Sequence, residues 1–191
     1  MLLAVYLIAT CLLLTAAFVV FGRRVRREYR QRGRLTPLTG LLELAVWLLF
    51  VGFPCLYNPA DWWLVCFAAT PTNAAQKIAG SALVIVGMGL AVLAMAGLGA
   101  GKSFGQETRG LQETGLYRWS RNPQLVGGGL AVMGILVLWP SWYALGWAIM
   151  GGLIGHGMVL AEEEHLRRRQ GDAYVRYCAR VPRYVGFARK S

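Results

Sequence analysis

The sequence predicts an all-α integral membrane protein. Five transmembrane helices, the last two folded as a helical hairpin, are followed by a cytoplasmic amphipathic tail in a single membrane domain over 1–191. Three observations carry this expectation. Composition is the first: soluble domains average about 25% charged residues, whereas this chain has 15%, with 56% hydrophobic residues and a mean hydropathy of +0.45. The second is that the apolar residues are bunched into stretches of span length. The third is the placement of the basic residues, which gather in three segments between and after those stretches. The composition excludes a disordered chain, which needs low hydrophobicity, and a typical soluble enzyme. Four scattered cysteines, Cys11, Cys55, Cys66 and Cys178, have neither a disulfide-scaffold pattern nor metal-ligand spacing, so no metal site is expected.

A bilayer-spanning helix needs about 20 predominantly apolar residues. The first span is expected over 2–22, with no charge. Its arginines follow the apolar run and no basic residue precedes it, so it reads as an anchor and not as a cleaved signal peptide. The second is expected over 38–57, with Glu43 as its only charge, and the third over 78–98. The uncharged run Asn122–Ala161 is about twice a single span and is interrupted by Trp139-Pro140-Ser141-Trp142. Proline disrupts a helix interior and tryptophan favours the membrane–water boundary. The run therefore divides into spans 123–138 and 142–161, leaving a loop over 99–122 and a tail over 162–191.

Charge gives the orientation. Of the 20 Lys and Arg residues, all but Lys77 lie in 23–34, in 98–122 or after Glu162. Five spans put these segments on one side. Basic loops stay in the cytoplasm, so the N-terminus is expected outside and the tail inside. Arginines beside spans fix topology and meet anionic headgroups. No nucleic-acid motif accompanies the net charge of +11, and membrane lipids, not nucleic acid, are the expected partners.

The cytoplasmic segments hold the candidates for chemistry. The glycine-rich end of the third span, Gly97 to Gly105, allows close approach of a ligand to backbone, although the P-loop spacing is absent. Gly115 suits a turn, and Asn122-Pro123 is a helix-start signal whose free N–H groups face any ligand at that end. Glu162, Glu163 and Glu164 form a run of carboxylates at a membrane boundary, one or two of which are expected to meet a cation or donor. His156, in the fifth span, shares a helical face with Glu163. An ionisable residue inside a span is a functional candidate, as is Glu43. Tyr174 and Tyr177, set among arginines, suit a surface helix on lipid.

Gly115 to Pro123 (GLYRWSRNP), an apolar hairpin, Glu162 to Leu166 (EEEHL) and Gly171 to Arg183 (GDAYVRYCARVPR) occur in that order. Together they resemble the integral membrane methyltransferases, the isoprenylcysteine carboxyl methyltransferases and phospholipid N-methyltransferases. The resemblance covers 97–184, nearly half the chain. It implies S-adenosylmethionine as methyl donor, bound on the cytoplasmic side, and a lipophilic methyl acceptor. It also implies cofactor contacts at Arg109, Gly110, Leu111, Gln112, Tyr117, Asn122, Pro123, Gln124, Leu125, Glu162 and Glu163. A Gly-x-Gly contact falls on Gly97-Leu98-Gly99 or on Gly99-Ala100-Gly101, so that Gly99 and Gly101 are candidates. Two departures stand out. Asn122 and Leu125 replace the histidine and tyrosine of the usual Arg-His-Pro-x-Tyr. Met158 occupies the position of the arginine that holds a prenylcysteine carboxylate, which removes a bidentate fork. His156, Glu164 and Tyr117 are the candidate bases for the acceptor, which is a lipid amine, carboxylate or thiol; of these, His156 and Glu164 are taken as the catalytic candidates. The alternatives are an NADPH-dependent reductase of the sterol and steroid type, which has similar loops, and a non-catalytic membrane protein that keeps the fold.

Overall fold

The computed structural model describes residues 1–57, 72–98 and 111–186, and among these every regular element is helical. Helix α1 (Leu2–Ala17) passes through wider π-type turns (Phe18–Val25) into α2 (Arg26–Arg32) without a break. The first apolar helix thus extends to Arg32, beyond the expected boundary at residue 22. Gly33, with φ of 67°, ends it in the left-handed conformation that glycine adopts at no steric cost.

Helix α3 (Pro37–Gly52) starts with proline in its first turn and Thr36 as N-cap. Buried Glu28 clamps this start. Its carboxylate accepts from the Thr36 amide at 2.8 Å and from the Thr36 hydroxyl at 2.9 Å, while Arg24 Nε donates to Thr39 Oγ1 at 2.9 Å. The helix closes in a tight turn over Phe53–Leu56. Helix α4 (Ala74–Leu98) begins one turn before the expected residue 78. The hairpin forms as expected, with α5 (Pro123–Leu138) and α6 (Trp142–Gln170) joined across the Pro140 break. Ser141 caps α6 by accepting from the Ala144 amide at 3.0 Å. α6 continues nine residues past the expected end of the fifth span. It reaches Gln170 because nothing in Glu162–Gln170 breaks a helix. The short α7 (Asp172–Arg180) follows.

Among the described residues, four helices are long and apolar enough to cross a membrane, and α5 is a shorter fifth. At 1.5 Å per residue its 16 residues reach about 24 Å against a hydrocarbon core of about 30 Å. The chain is a multi-pass integral membrane protein.

Packing divides the bundle. On one side α1, α3 and α6 meet through large side chains. The Phe50 and Trp147 rings stack at 4.8 Å, and Trp147 Nε1 donates to the Phe50 carbonyl at 2.8 Å. Tyr6 donates to the Tyr143 carbonyl at 2.8 Å and meets Phe53 edge-on at 5.2 Å. On the other side α4 and α5 lie backbone to backbone. A Cβ on Gly87 would sit 2.5 Å from the Ala131 nitrogen, and one on Gly134 would sit 2.6 Å from the Gly80 carbonyl. Lipid tails are as apolar as leucine, so helices in a bilayer associate by close packing and interhelical hydrogen bonds. The two halves use one device each.

Candidate functional site

Three adjacent carboxylates near the end of α6 point about 100° apart around the helix, and each meets a different environment. Glu164 faces the first helix. It pairs with Arg30 at 2.8 Å and Arg26 at 3.4 Å, and with Arg168 of its own helix at 2.7 Å. Glu163 faces the loop before α5 and the tail, with a side chain 12% exposed. Arg121 reaches it at 2.8 Å, and Arg183 grips both oxygens at 3.1 and 2.7 Å. Such planar forks match carboxylate geometry. Glu162 is half-buried and, among the described residues, has no hydrogen-bond donor or cation on it. Its electrostatic neighbours are Tyr117, Tyr29 and a second span carboxylate, Glu43.

These ion pairs also join the three basic segments. Arg26 and Arg30 come from the first, Arg121 from the second, and Arg168 and Arg183 from the third. The described parts of all three gather at one end of the bundle, as the placement of basic residues requires.

The loop before α5 is folded tightly. Gly115, at φ of 61°, opens a single turn over Gly115–Arg118 that buries Tyr117. The Tyr117 hydroxyl donates to Gln124 Oε1 at 3.1 Å, and its carbonyl accepts from the Tyr177 hydroxyl of α7 at 2.8 Å. Burial first, and then the Glu162 carboxylate, push the Tyr117 phenol above its ordinary range, so it is a donor at any physiological pH. Tyr174 and Tyr177 are buried in a small cluster with Val181, against which Leu111 packs. The tail helix is therefore tied into the protein and braces the loop.

After α7 the chain returns along the site as a strap, 181–186. The Arg121 amide donates to the Pro182 carbonyl at 3.0 Å, and the Asn122 side-chain amide donates to the Arg183 carbonyl at 3.0 Å. Arg183 then reaches Glu163, and the next residue, Tyr184, meets His156 Nδ1 through its hydroxyl at 2.9 Å. His156 is exposed on the surface of α6.

Of the residues singled out in the sequence, Tyr117, Gln124, Asn122, Glu162 and Glu163 gather around this loop and strap. Pro123 is the buried first residue of α5. Leu125 packs against α6, with Cδ2 3.3 Å from the Cβ position of Gly155. Gln112 bonds Thr114 locally at 2.8 Å and is half-buried. Gly99, Gly101, Arg109 and Gly110 lie outside the described residues. Sequence reasoning had not singled out Arg121, Arg183, Tyr184 or Tyr29. Arg121 and Arg183 stand inside the quoted motifs, but nothing in a linear pattern says that both close on one carboxylate.

A family model described as phospholipid methyltransferase matches residues 75–173. The chain belongs to the phospholipid methyltransferase family. The matched segment holds α4, α5, α6 and the loop with Tyr117, and leaves out α1 to α3 and the strap. Among curated proteins and solved structures, nothing matches. Family membership and the apolar helices together make this chain a membrane methyltransferase, with a lipid environment and lipophilic substrates.

Proposed function

We propose that this chain transfers a methyl group from S-adenosylmethionine to a lipophilic acceptor, with the donor bound at the basic, cytoplasmic end of the bundle. One observation carries the reading: Glu162 is the one of three adjacent carboxylates that no arginine among the described residues neutralises. A half-buried carboxylate without a partner is costly, and a cationic ligand removes that cost. The donor has two cationic centres, a sulfonium and an ammonium, and supplies a methyl group already activated for displacement.

The chain's own residues then bind and align. Glu162 holds the donor's ammonium, which S-adenosylhomocysteine keeps. Tyr117 forms one wall, fixed by Gln124 and Tyr177. Leu111, Gln112, Pro123 and Leu125 add the remaining described surface, and Gly99, Gly101, Arg109 and Gly110 are proposed to complete it. Glu163 and Asn122 act through the strap they secure, which excludes water from the aligned pair. The acceptor approaches laterally from lipid, where His156 is the polar side chain on α6. Glu164, held by three arginines, serves here as an anchor between the first helix and α6.

The reductase alternative is weaker on the same geometry. The family model that matches is that of phospholipid methyltransferases, and Arg121 and Arg183 beside the site both close on Glu163.

The test is calorimetric binding of S-adenosylhomocysteine to the detergent-purified protein. Glu162→Gln is expected to weaken binding at least about tenfold, the range for loss of a charge-assisted hydrogen bond, while Glu164→Gln leaves it unchanged. Equal affinity in wild type and Glu162→Gln would overturn the assignment, and tight binding of NADPH would move the chain to the reductases.

A further inference from the structure

His156 and Tyr184 meet outside the donor pocket, and the methyl-transfer reading leaves their contact unexplained. An imidazole exposed on a membrane-spanning helix is costly unless its polar atoms are satisfied. Among the described residues His156 has one polar partner, the Tyr184 hydroxyl at 2.9 Å from Nδ1. Nε2 has none. Burial raises the Tyr184 phenol, although the adjacent Arg183 opposes this, so the hydroxyl keeps its proton. The phenol O–H is the more acidic donor of the two, and the imidazole nitrogen is the stronger acceptor. With Tyr184 as the donor to Nδ1, the imidazole proton sits on Nε2.

We propose that His156 and Tyr184 form a subsite for the head group of the lipid acceptor, in which Nε2–H of His156 donates to an anionic oxygen of the lipid. The proposal rests on the methyl-transfer reading and adds where the acceptor is held. Tyr184 is a positioning residue, because it fixes the tautomer and the ring plane of His156 without touching the lipid. Three features favour a lipid as the occupant. His156 is exposed on a span and shares a helical face with Glu163, so a lipophilic acceptor that satisfies Nε2 lies beside the donor site. A proton on Nε2 makes it a donor, which selects an oxygen anion such as a phosphodiester. The pair also adjoins the donor site through the strap. Tyr184 follows Arg183, whose guanidinium grips Glu163. His156 and Glu163 lie seven residues apart on one helical face, about 10 Å along α6.

The chain has two histidines, His156 and His165, so nitrogen-15 histidine spectra of the detergent-solubilised protein can read the pair directly, with His165→Gln for assignment. The expected wild-type spectrum has His156 protonated at Nε2 and accepting at Nδ1. Dihexanoyl phosphatidylethanolamine should shift the Nε2 signal in a saturable way. The matching diacylglycerol, which lacks the phosphate, should not. Tyr184→Phe keeps the ring and removes the hydroxyl. It should mix the tautomers and weaken the lipid response about five-fold, the scale of one lost hydrogen bond, with S-adenosylhomocysteine affinity unchanged. A wild-type proton on Nδ1, an equal response to diacylglycerol, or an undiminished response in Tyr184→Phe would overturn the subsite. The spectra do not require the donor, so a wild type that fails to bind S-adenosylhomocysteine would count against the methyl-transfer reading alone.

Discussion

The α1, α3 and α6 side of the bundle and the α4 and α5 side solve the same problem with opposite materials. On the first, aromatic rings fill the space between helices and their polar tips bond to backbone carbonyls, as Trp147 does to Phe50 and Tyr6 to Tyr143. On the second, Gly80, Gly87, Gly127 and Gly134 remove the side chains and let backbones touch. A ring can tilt when a neighbour changes, but a backbone cannot move without taking its helix with it. The aromatic side should therefore yield locally and the glycine side as a whole. The site straddles the two, because Tyr117 and Asn122 lead into α5 while Glu162 and Glu163 stand on α6.

One substitution, glycine to alanine, distinguishes the halves. Gly127→Ala should have the largest effect. Its Cβ would lie 2.5 Å from the Gly87 carbonyl and 2.6 Å from the Ala91 nitrogen, both backbone. Separating α4 from α5 should cost about 3 kcal/mol or more, the upper end for overpacking, seen as a large loss of thermal stability in detergent and of monodisperse protein. Gly151→Ala on the aromatic side should cost less, about 1–2 kcal/mol. Its Cβ would meet only the far edge of the Phe50 ring, which can swing at the expense of its stack on Trp147. Gly129→Ala, on the same helix as Gly127 but with nothing within 4 Å, should be neutral or stabilising by up to about 1 kcal/mol through helix propensity. If Gly127→Ala and Gly129→Ala unfolded alike, backbone contact between α4 and α5 would not be what holds that half together.

The sequence made much of the fold legible. The hairpin boundaries at Pro123, Leu138 and Trp142 coincide with the structure because proline and interfacial tryptophans punctuate the chain locally. The end of the first helix was less legible. The apolar run stops at Gly22, yet hydrogen bonding continues to Arg32, since arginine is a good helix former and leaving the membrane does not end a helix. Within the site, Tyr117, Asn122 and the glutamates were visible because they stand in motifs. Their division of labour was not. Three identical side chains in succession have identical local signals, and only the elements packed around α6 assign Glu164 to Arg26 and Arg30, and Glu163 to Arg121 and Arg183.

By itself, the sequence determined that the chain lives in a bilayer, roughly where it crosses, and that its basic segments share one side. Those properties follow from hydropathy and charge, which add along the chain and need no knowledge of contacts. Tertiary structure alone decided which glutamate has no cation among the described residues, which glycines stand against backbone and which face open space, and that the residue after Arg183 reaches His156. Each of these depends on residues far apart in the chain, 28 positions in the case of His156 and Tyr184. Their proximity is set by how helices pack and where the strap returns, not by any local pattern.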